Sequence, residues 1–240
     1  MRAFLAIAGL IAVALVVAVA IAFFRPNSSS TPPAEVEPEP VSKPTTKTKT
    51  QPGAATPTAA QPGSDRMMTF DEAKAGAVRA RIVVDGRGTI GVELYPKAAP
   101  KTVEHFLSLC KQHFYDGILV HRVEPDPAFQ LFQAGDPASK QVDPKQLQGK
   151  TTAQVASEFQ LGGGGSGASV PLEARLPNVA YSLGLARSAD PNSGDSQFYV
   201  NLSNNNALDG QYCVFGRVVE GQDVAAKVQI GDRIHTVSAP

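Results

Sequence analysis

Two clusters hold the side chains whose types and spacing could do chemistry. The first runs through His121-Arg122-Val123 to Phe129-Gln130-Leu131-Phe132-Gln133-Ala134-Gly135-Asp136; the second joins Ser196-Gln197-Phe198-Tyr199-Val200-Asn201 to Ala207-Leu208-Asp209-Gly210-Gln211-Tyr212-Cys213-Val214-Phe215-Gly216. The second pairs two strand-like runs with a polar turn, an arrangement in which Gln197, Tyr199, Leu208 and Tyr212 could share one surface. No activated nucleophile, metal cluster or phosphate loop stands beside it. A site of this kind grips a peptide rather than breaking a bond. An arginine on a strand is ordinarily an exposed charge, so Arg122 gains meaning only in company with the second cluster.

Other residues that invite chemistry have plainer readings. Gly162-Gly163-Gly164-Gly165-Ser166-Gly167 formally matches the dinucleotide-binding string, but Pro171 and Pro177 deny it the helix that a phosphate cradle needs, so it reads as a flexible loop. His105, His113 and His121 are evenly spaced, yet eight residues along a helix turn the side chain about 80° away, and no further ligand completes a metal set. Ser196 lacks the glycine-bounded elbow of a serine nucleophile. Cys110 and Cys213 could form a disulfide, but one falls on a helix and the other on a strand, which leaves their distance open.

The elements that must position these groups occupy the last three quarters of the chain. Ala3 to Phe24 is continuously apolar and matches the roughly 20 residues that span a bilayer, so residues 1–25 are expected to form a transmembrane anchor, with a signal peptide cleaved near Ala18-Val19-Ala20 as the competing reading. Residues 26–70 are rich in Pro, Thr, Ser and Ala, bury too little apolar surface to offset the entropy of ordering, and read as a disordered tether. Residues 71–240 are expected to form one domain. Lys plus Arg and Asp plus Glu number 22 each, so no broad positive field exists to attract nucleic acid.

Within that domain, Val78–Val84 and Thr89–Leu94 flank Asp85-Gly86-Arg87-Gly88 and predict a hairpin. Pro100 to Cys110 places apolar residues at 103, 106, 107 and 110 and predicts an amphipathic helix opened by proline. Further strands are expected within 118–123, 129–134, 178–185, 197–202, 213–219 and 233–237, and a second short helix over 221–228. Residues 140–176 read mostly as loop. Many short strands with two helices argue for an antiparallel barrel.

The clusters in this order resemble the cyclophilin family of peptidyl-prolyl isomerases. Thr102-Val103-Glu104-His105-Phe106 is similar to the family's first helix, Phe114-Tyr115-Asp116-Gly117 precedes His121-Arg122, and Gln133-Ala134-Gly135-Asp136 is similar to its QGGD. Asp190 through Tyr199 resembles the stretch that ends in SQF, and Leu208-Asp209-Gly210 with Val214-Phe215-Gly216 completes the series. The resemblance implies a mainly β fold, a closed antiparallel eight-stranded β-barrel capped by two α-helices. It makes Arg122 the catalytic residue and Phe129, Leu131, Gln133, Gln197, Tyr199, Leu208 and Tyr212 the lining of a proline pocket. No cofactor and no metal are implied. The expected partners are proline-containing polypeptides, exported or unfolded, and the membrane; nucleic acid is not among them, and a monomer is expected. The chain departs from the family at Glu124-Pro125-Asp126-Pro127, which lengthens the turn after Arg122 and leaves Phe129, Leu131 or Phe132 to form the pocket floor. Ala207 replaces a tryptophan found in drug-binding members, which argues against strong cyclosporin binding, and Tyr212 replaces a histidine, a bacterial pattern. A catalytically silent peptide-binding module and a holdase-like chaperone are the rival readings.

Overall fold

The computed structural model describes residues 66–240, and these form a compact unit. The apolar segment at 1–25 and most of the tether lie outside the described residues. Among the described residues no helix is long and apolar enough to cross a membrane. The folded part begins before residue 71: Met68 N–H bonds to Arg175 O at 2.8 Å, and Thr69 caps a one-turn helix, α1 (Phe70–Ala73), in a reciprocal box with Glu72.

The predicted hairpin forms as β1 (Val78–Val84) and β2 (Gly88–Leu94), antiparallel and paired from Val78 with Leu94 to Val84 with Gly88. Helix α2 (Pro100–Lys111) opens on its proline, whose missing N–H is no loss where no intrahelical partner exists. It buries Val103, Phe106 and Cys110 as the spacing requires; Leu109 and Thr102 are also buried, while Leu107 is only partly covered. Then follow β3 (Arg122–Glu124), β4 (Leu131–Ala134), the one-turn α3 (Pro144–Leu147), α4 (Thr152–Phe159), β5 (Ser182–Leu185), β6 (Phe198–Asn201), β7 (Val214–Glu220), the one-turn α5 (Gln222–Ala225) and β8 (Ile234–Ser238). Several strands are shorter than expected because Gly, Pro and Asn turns consume their ends.

The strands make one eight-stranded antiparallel sheet in the order β3-β4-β6-β5-β7-β2-β1-β8. Its edges, β3 and β8, do not pair as strands. The turns before them meet instead, through a bridge between Leu119 and Arg233, with Val120 N–H donating to Asp232 O and Ile234 N–H to Ile118 O, both at 2.8 Å. The sheet curls around a core of Ile82, Ile90, Val92, Phe132, Leu183, Phe198, Val200 and Phe215, against which α2 lays its apolar face. Phe106 centres that contact, with its ring 5.1 Å from Phe215, 5.2 Å from Tyr115 and 5.9 Å from Phe198.

The second expected helix shrinks to the single turn α5, and a larger one stands where loop was expected. Helix α4 begins in a capping box between Thr151 and Gln154, a Thr-x-x-Gln signature present in the sequence. It packs Val155 into a small cluster with Leu119, Leu147 and Leu161. Its Thr152 hydroxyl donates to Val123 O at 3.0 Å, which ties it to β3 beside Arg122. Cys110 and Cys213 are both free and buried, so the two thiols do not pair.

Candidate functional site

One row of the sheet assembles the site by register alone. Arg122 pairs with Gln133, Gln133 with Tyr199, and Tyr199 with Gly184. Residues two apart on a strand share a face, so Glu124 and Leu131 stand on the same side as this row. Val123, Phe132 and Val200 occupy the alternate positions and pack on the core. Of the three residues considered for a pocket floor, Phe132 has its ring in the core and Leu131 stands on the face of the row. Phe129 is half-buried in the turn between β3 and β4, held by its N–H to Asp126 O at 2.8 Å. Pro125 ends β3 because it has no N–H to continue the ladder.

Hydrogen bonds lock the row. The Arg122 guanidinium donates from Nε to Glu124 Oε1 at 2.9 Å and from Nη1 to Gln133 Oε1 at 3.3 Å. Gln133 Nε2 donates to Gln197 Oε1 at 2.8 Å, and Gln197 Nε2 to Gly164 O at 2.7 Å. Both glutamines are 8% exposed, so these bonds compete little with water. Arg122 Nη2 alone makes no hydrogen bond among the described residues. The guanidinium is thus oriented on two sides, with its third nitrogen left unbonded among the described residues.

The glycine-rich stretch is a strap rather than a free loop. The Asp136 carboxylate accepts from Gly162 N at 2.7 Å and Gly164 N at 3.1 Å; Asp195 accepts from Gly167 N at 2.8 Å, from the Ser166 hydroxyl, and faces His105 Nε2 at 3.3 Å. Burial alone would push the Asp195 carboxyl up, but these donors hold it below the usual value. The strap carries Gly164 O to Gln197 and covers His121, which is 3% exposed and has no hydrogen-bond partner at either ring nitrogen. Burial lowers the His121 pKa to about 4, against the opposing pull of the Asp136 charge. Gly135, at φ 111°, must be glycine for a second reason: a Cβ there would sit 2.6 Å from Gln197 Cα.

Tyr199 continues the row beyond Gln133. Its ring crosses Gly184, where a Cβ would lie 2.6 Å from Cε2 and closer still to the ring's far end. Its hydroxyl donates to Asn178 Oδ1 at 2.7 Å, and full burial raises the phenol well above its ordinary value. Asn178 in turn takes Asp209 Oδ1 on its backbone N–H at 2.6 Å, which anchors the short turn that carries Leu208. Leu208 and Tyr212 are half-buried, and Tyr212 bonds by its N–H to Leu208 O at 3.1 Å. The Tyr212 ring stands edge-on to Tyr199 at 6.3 Å and lies under the Arg187 guanidinium at 4.4 Å.

All the expected site residues except Phe129 are therefore joined by register, hydrogen bonds or ring contact. Glu124, Gly164, Asn178, Gly184 and Arg187 were not anticipated. Glu124 carried a readable signal, since a carboxylate two residues from Arg122 on a strand shares its face. The others are set by contacts between residues distant in sequence.

A family model described as cyclophilin-type peptidyl-prolyl cis-trans isomerase matches residues 79–238. A probable peptidyl-prolyl cis-trans isomerase of Brucella suis is 35% identical over 145 residues, which are 60% of this chain and 68% of that protein. A peptidyl-prolyl cis-trans isomerase of Streptomyces antibioticus is 34% identical over 150 residues, 59% of this chain and 78% of that one. Among solved structures, a cyclophilin-type isomerase of Cryptosporidium parvum superposes with a TM-score of 0.54 at 21% identity, covering 68% of this chain and 98% of its own. The same Cryptosporidium protein solved in the presence of the dipeptide Ala-Pro gives 0.53 at 22% identity, over 68% and 98%. The structural likeness carries the fold.

Proposed function

We propose, from the premise that the chain belongs to the cyclophilin-type peptidyl-prolyl cis-trans isomerase family, that the row from Arg122 to Gly184 is where it acts. The protein is a peptidyl-prolyl cis-trans isomerase. Rotation about an X-Pro amide must cross about 18–20 kcal/mol set by the partial double bond, and takes tens to hundreds of seconds unaided. As the amide twists, its nitrogen regains a lone pair and becomes an acceptor. A donor poised for that state lowers the barrier because it gains more from the twisted amide than from the planar one.

The observation that carries this assignment is the orientation of Arg122: Glu124 holds Nε and Gln133 holds Nη1, leaving Nη2 for the substrate. Tyr199, Leu131, Leu208 and Tyr212 supply the surface that receives the proline ring, and Phe129 borders it. Gln197, itself braced by Gly164 O, keeps Gln133 in place. Rotation makes and breaks no covalent bond, so no nucleophile is needed.

The substrates we propose are exported or unfolded polypeptides. The support is the apolar run from Ala3 to Phe24, read as an anchor that leaves the domain outside the cytoplasmic membrane, with the Pro- and Thr-rich stretch as spacer. Intact mass of membrane-extracted protein tests the anchor: loss of the first 20 or so residues would replace it with a cleaved signal. NMR exchange on an Ala-Pro peptide tests the site. Arg122→Ala should lower kcat by roughly 100-fold or more, as loss of one preorganised donor does. Full activity in that variant would refute the assignment, and peptide binding without exchange in the native protein would favour the silent binding module.

A further inference from the structure

Arg122, two strands from Tyr199 in the row, and Arg187, against the Tyr212 ring, are fixed alike but compensated differently. Arg122 donates from Nε and Nη1, and its charge is met by Glu124 at 2.9 Å. Arg187 donates from Nε to Gln211 O at 2.9 Å and from Nη1 to Ser188 O at 2.8 Å, so its partners are neutral carbonyls. Its flat face rests on the Tyr212 ring at 4.4 Å, which holds it at the rim of the groove. No carboxylate among the described residues forms an ion pair with it.

Neither Asp190, three residues on, nor Asp209, near Gln211, pairs with Arg187. Asp190 accepts from Asn192 N at 2.9 Å, and Asp209 from Asn178 N at 2.6 Å. Arg187 is half-buried and immobilised at three points, so it has already lost the side-chain freedom that an ordinary surface arginine must give up to make a pair. Its Nη2 makes no hydrogen bond among the described residues. A cation in this state, resting on the Tyr212 ring, can take a carboxylate partner at Nη2.

We infer that Arg187 makes the site selective for prolines flanked by a carboxylate side chain, so that Glu- or Asp-bearing X-Pro segments are its favoured substrate class. The inference rests on the reading of the groove as an X-Pro site. The guanidinium selects by charge, with Nη2 as the one nitrogen left to donate to a carboxylate. It plays no part in twisting the amide, which is the work of Arg122 on the other side of Tyr199.

The test compares kcat/KM for peptides that carry Glu, Ala or Lys immediately before the proline, and a second set with the same residues immediately after it, using the full chain in mild detergent. The Glu peptide of at least one set should exceed its Lys counterpart by about five-fold, the upper range for a partly exposed pair. Arg187→Gln should bring that ratio to about one, and Arg187→Glu should invert it. High salt should shrink it in the native protein. A ratio near one in both sets, or a ratio that survives both substitutions, overturns the inference while leaving isomerisation of the Ala peptide intact. If no peptide is isomerised, the catalytic reading fails instead. The Glu-to-Lys ratio of peptide affinities, read from chemical-shift titration, then decides the role of Arg187 by the same criteria.

Discussion

Acidification from pH 7 to 4.5 should destabilise the folded domain by about 2 kcal/mol through one side chain, His121. Its imidazole is 3% exposed, lies between the Gly162 strap and the sheet, and finds no partner at either ring nitrogen, so burial holds its pKa near 4 rather than 6.5. The native state therefore resists the proton that the unfolded chain accepts. Stability is complete above pH 6.5, falls as the unfolded state protonates, and levels off below about 4, where the folded form protonates too. A gap of about two and a half pH units at about 1.4 kcal/mol each corresponds to roughly 3 kcal/mol at full extent, most of it lost by pH 4.5. The other lowered groups are the carboxyls of Glu72, near 2, and Asp195; their contributions begin to fall only as pH reaches the ordinary carboxylate range, at the bottom of this window, and the His121 variants share them. Urea unfolding of residues 66–240, which form a compact unit, should show this slope in the native protein and lose it in His121→Leu and His121→Gln. The His121 ring signal should stay fixed between pH 7 and 5. Equal slopes in all three proteins, or a ring that titrates near 6.5, would refute the reasoning.

Gly184→Ala should force the Tyr199 ring off the sheet, raise KM, and cost about 1–3 kcal/mol in thermal unfolding, as overpacking does; unchanged melting and KM would show that the ring has room. Glu124→Ala should lower kcat of order ten-fold with little change in KM, because Arg122 Nε loses its stop, and Glu124→Gln should restore most of it by keeping an acceptor. If Gln and Ala behave alike, charge rather than orientation is the contribution. Burial pushes the Cys110 and Cys213 thiols up to about 12, so native protein at pH 8 should react with a disulfide reagent roughly a thousand-fold more slowly than unfolded chain. Rapid labelling of either would contradict their burial.

Much of the fold was legible where one rule of local physics acted alone. Asp85-Gly86-Arg87-Gly88 between two β-rich runs produced the β1–β2 hairpin, and the apolar spacing behind Pro100 produced α2. Legibility failed where local signals conflicted with what packing required. The segment at 221–228 reads as two helical turns and forms one, because only Val224, Ala225 and Val228 have core to meet. Helix α4 was hidden by its polar exterior, although its Thr151 and Gln154 box was there to be read. The edges β3 and β8 meet only through Ile118 to Val120 with Asp232 to Ile234, a pairing between distant segments that no local pattern marks.

The composition and order of residues determined, without any structure, that a β-rich domain follows an apolar run and a proline-rich stretch, and which residues resemble a proline-binding row. Those are properties of periodicity and of residue type, each read over a short span. Which nitrogen of Arg122 is free, why residue 184 is glycine, what Asp136 and Asp195 hold, and why Arg187 keeps an unmet charge were decided only by the tertiary structure. The reason is that each depends on one pairing in space, such as Gln197 with Gly164 or Tyr199 with Asn178, between side chains whose separation along the chain says nothing of their distance.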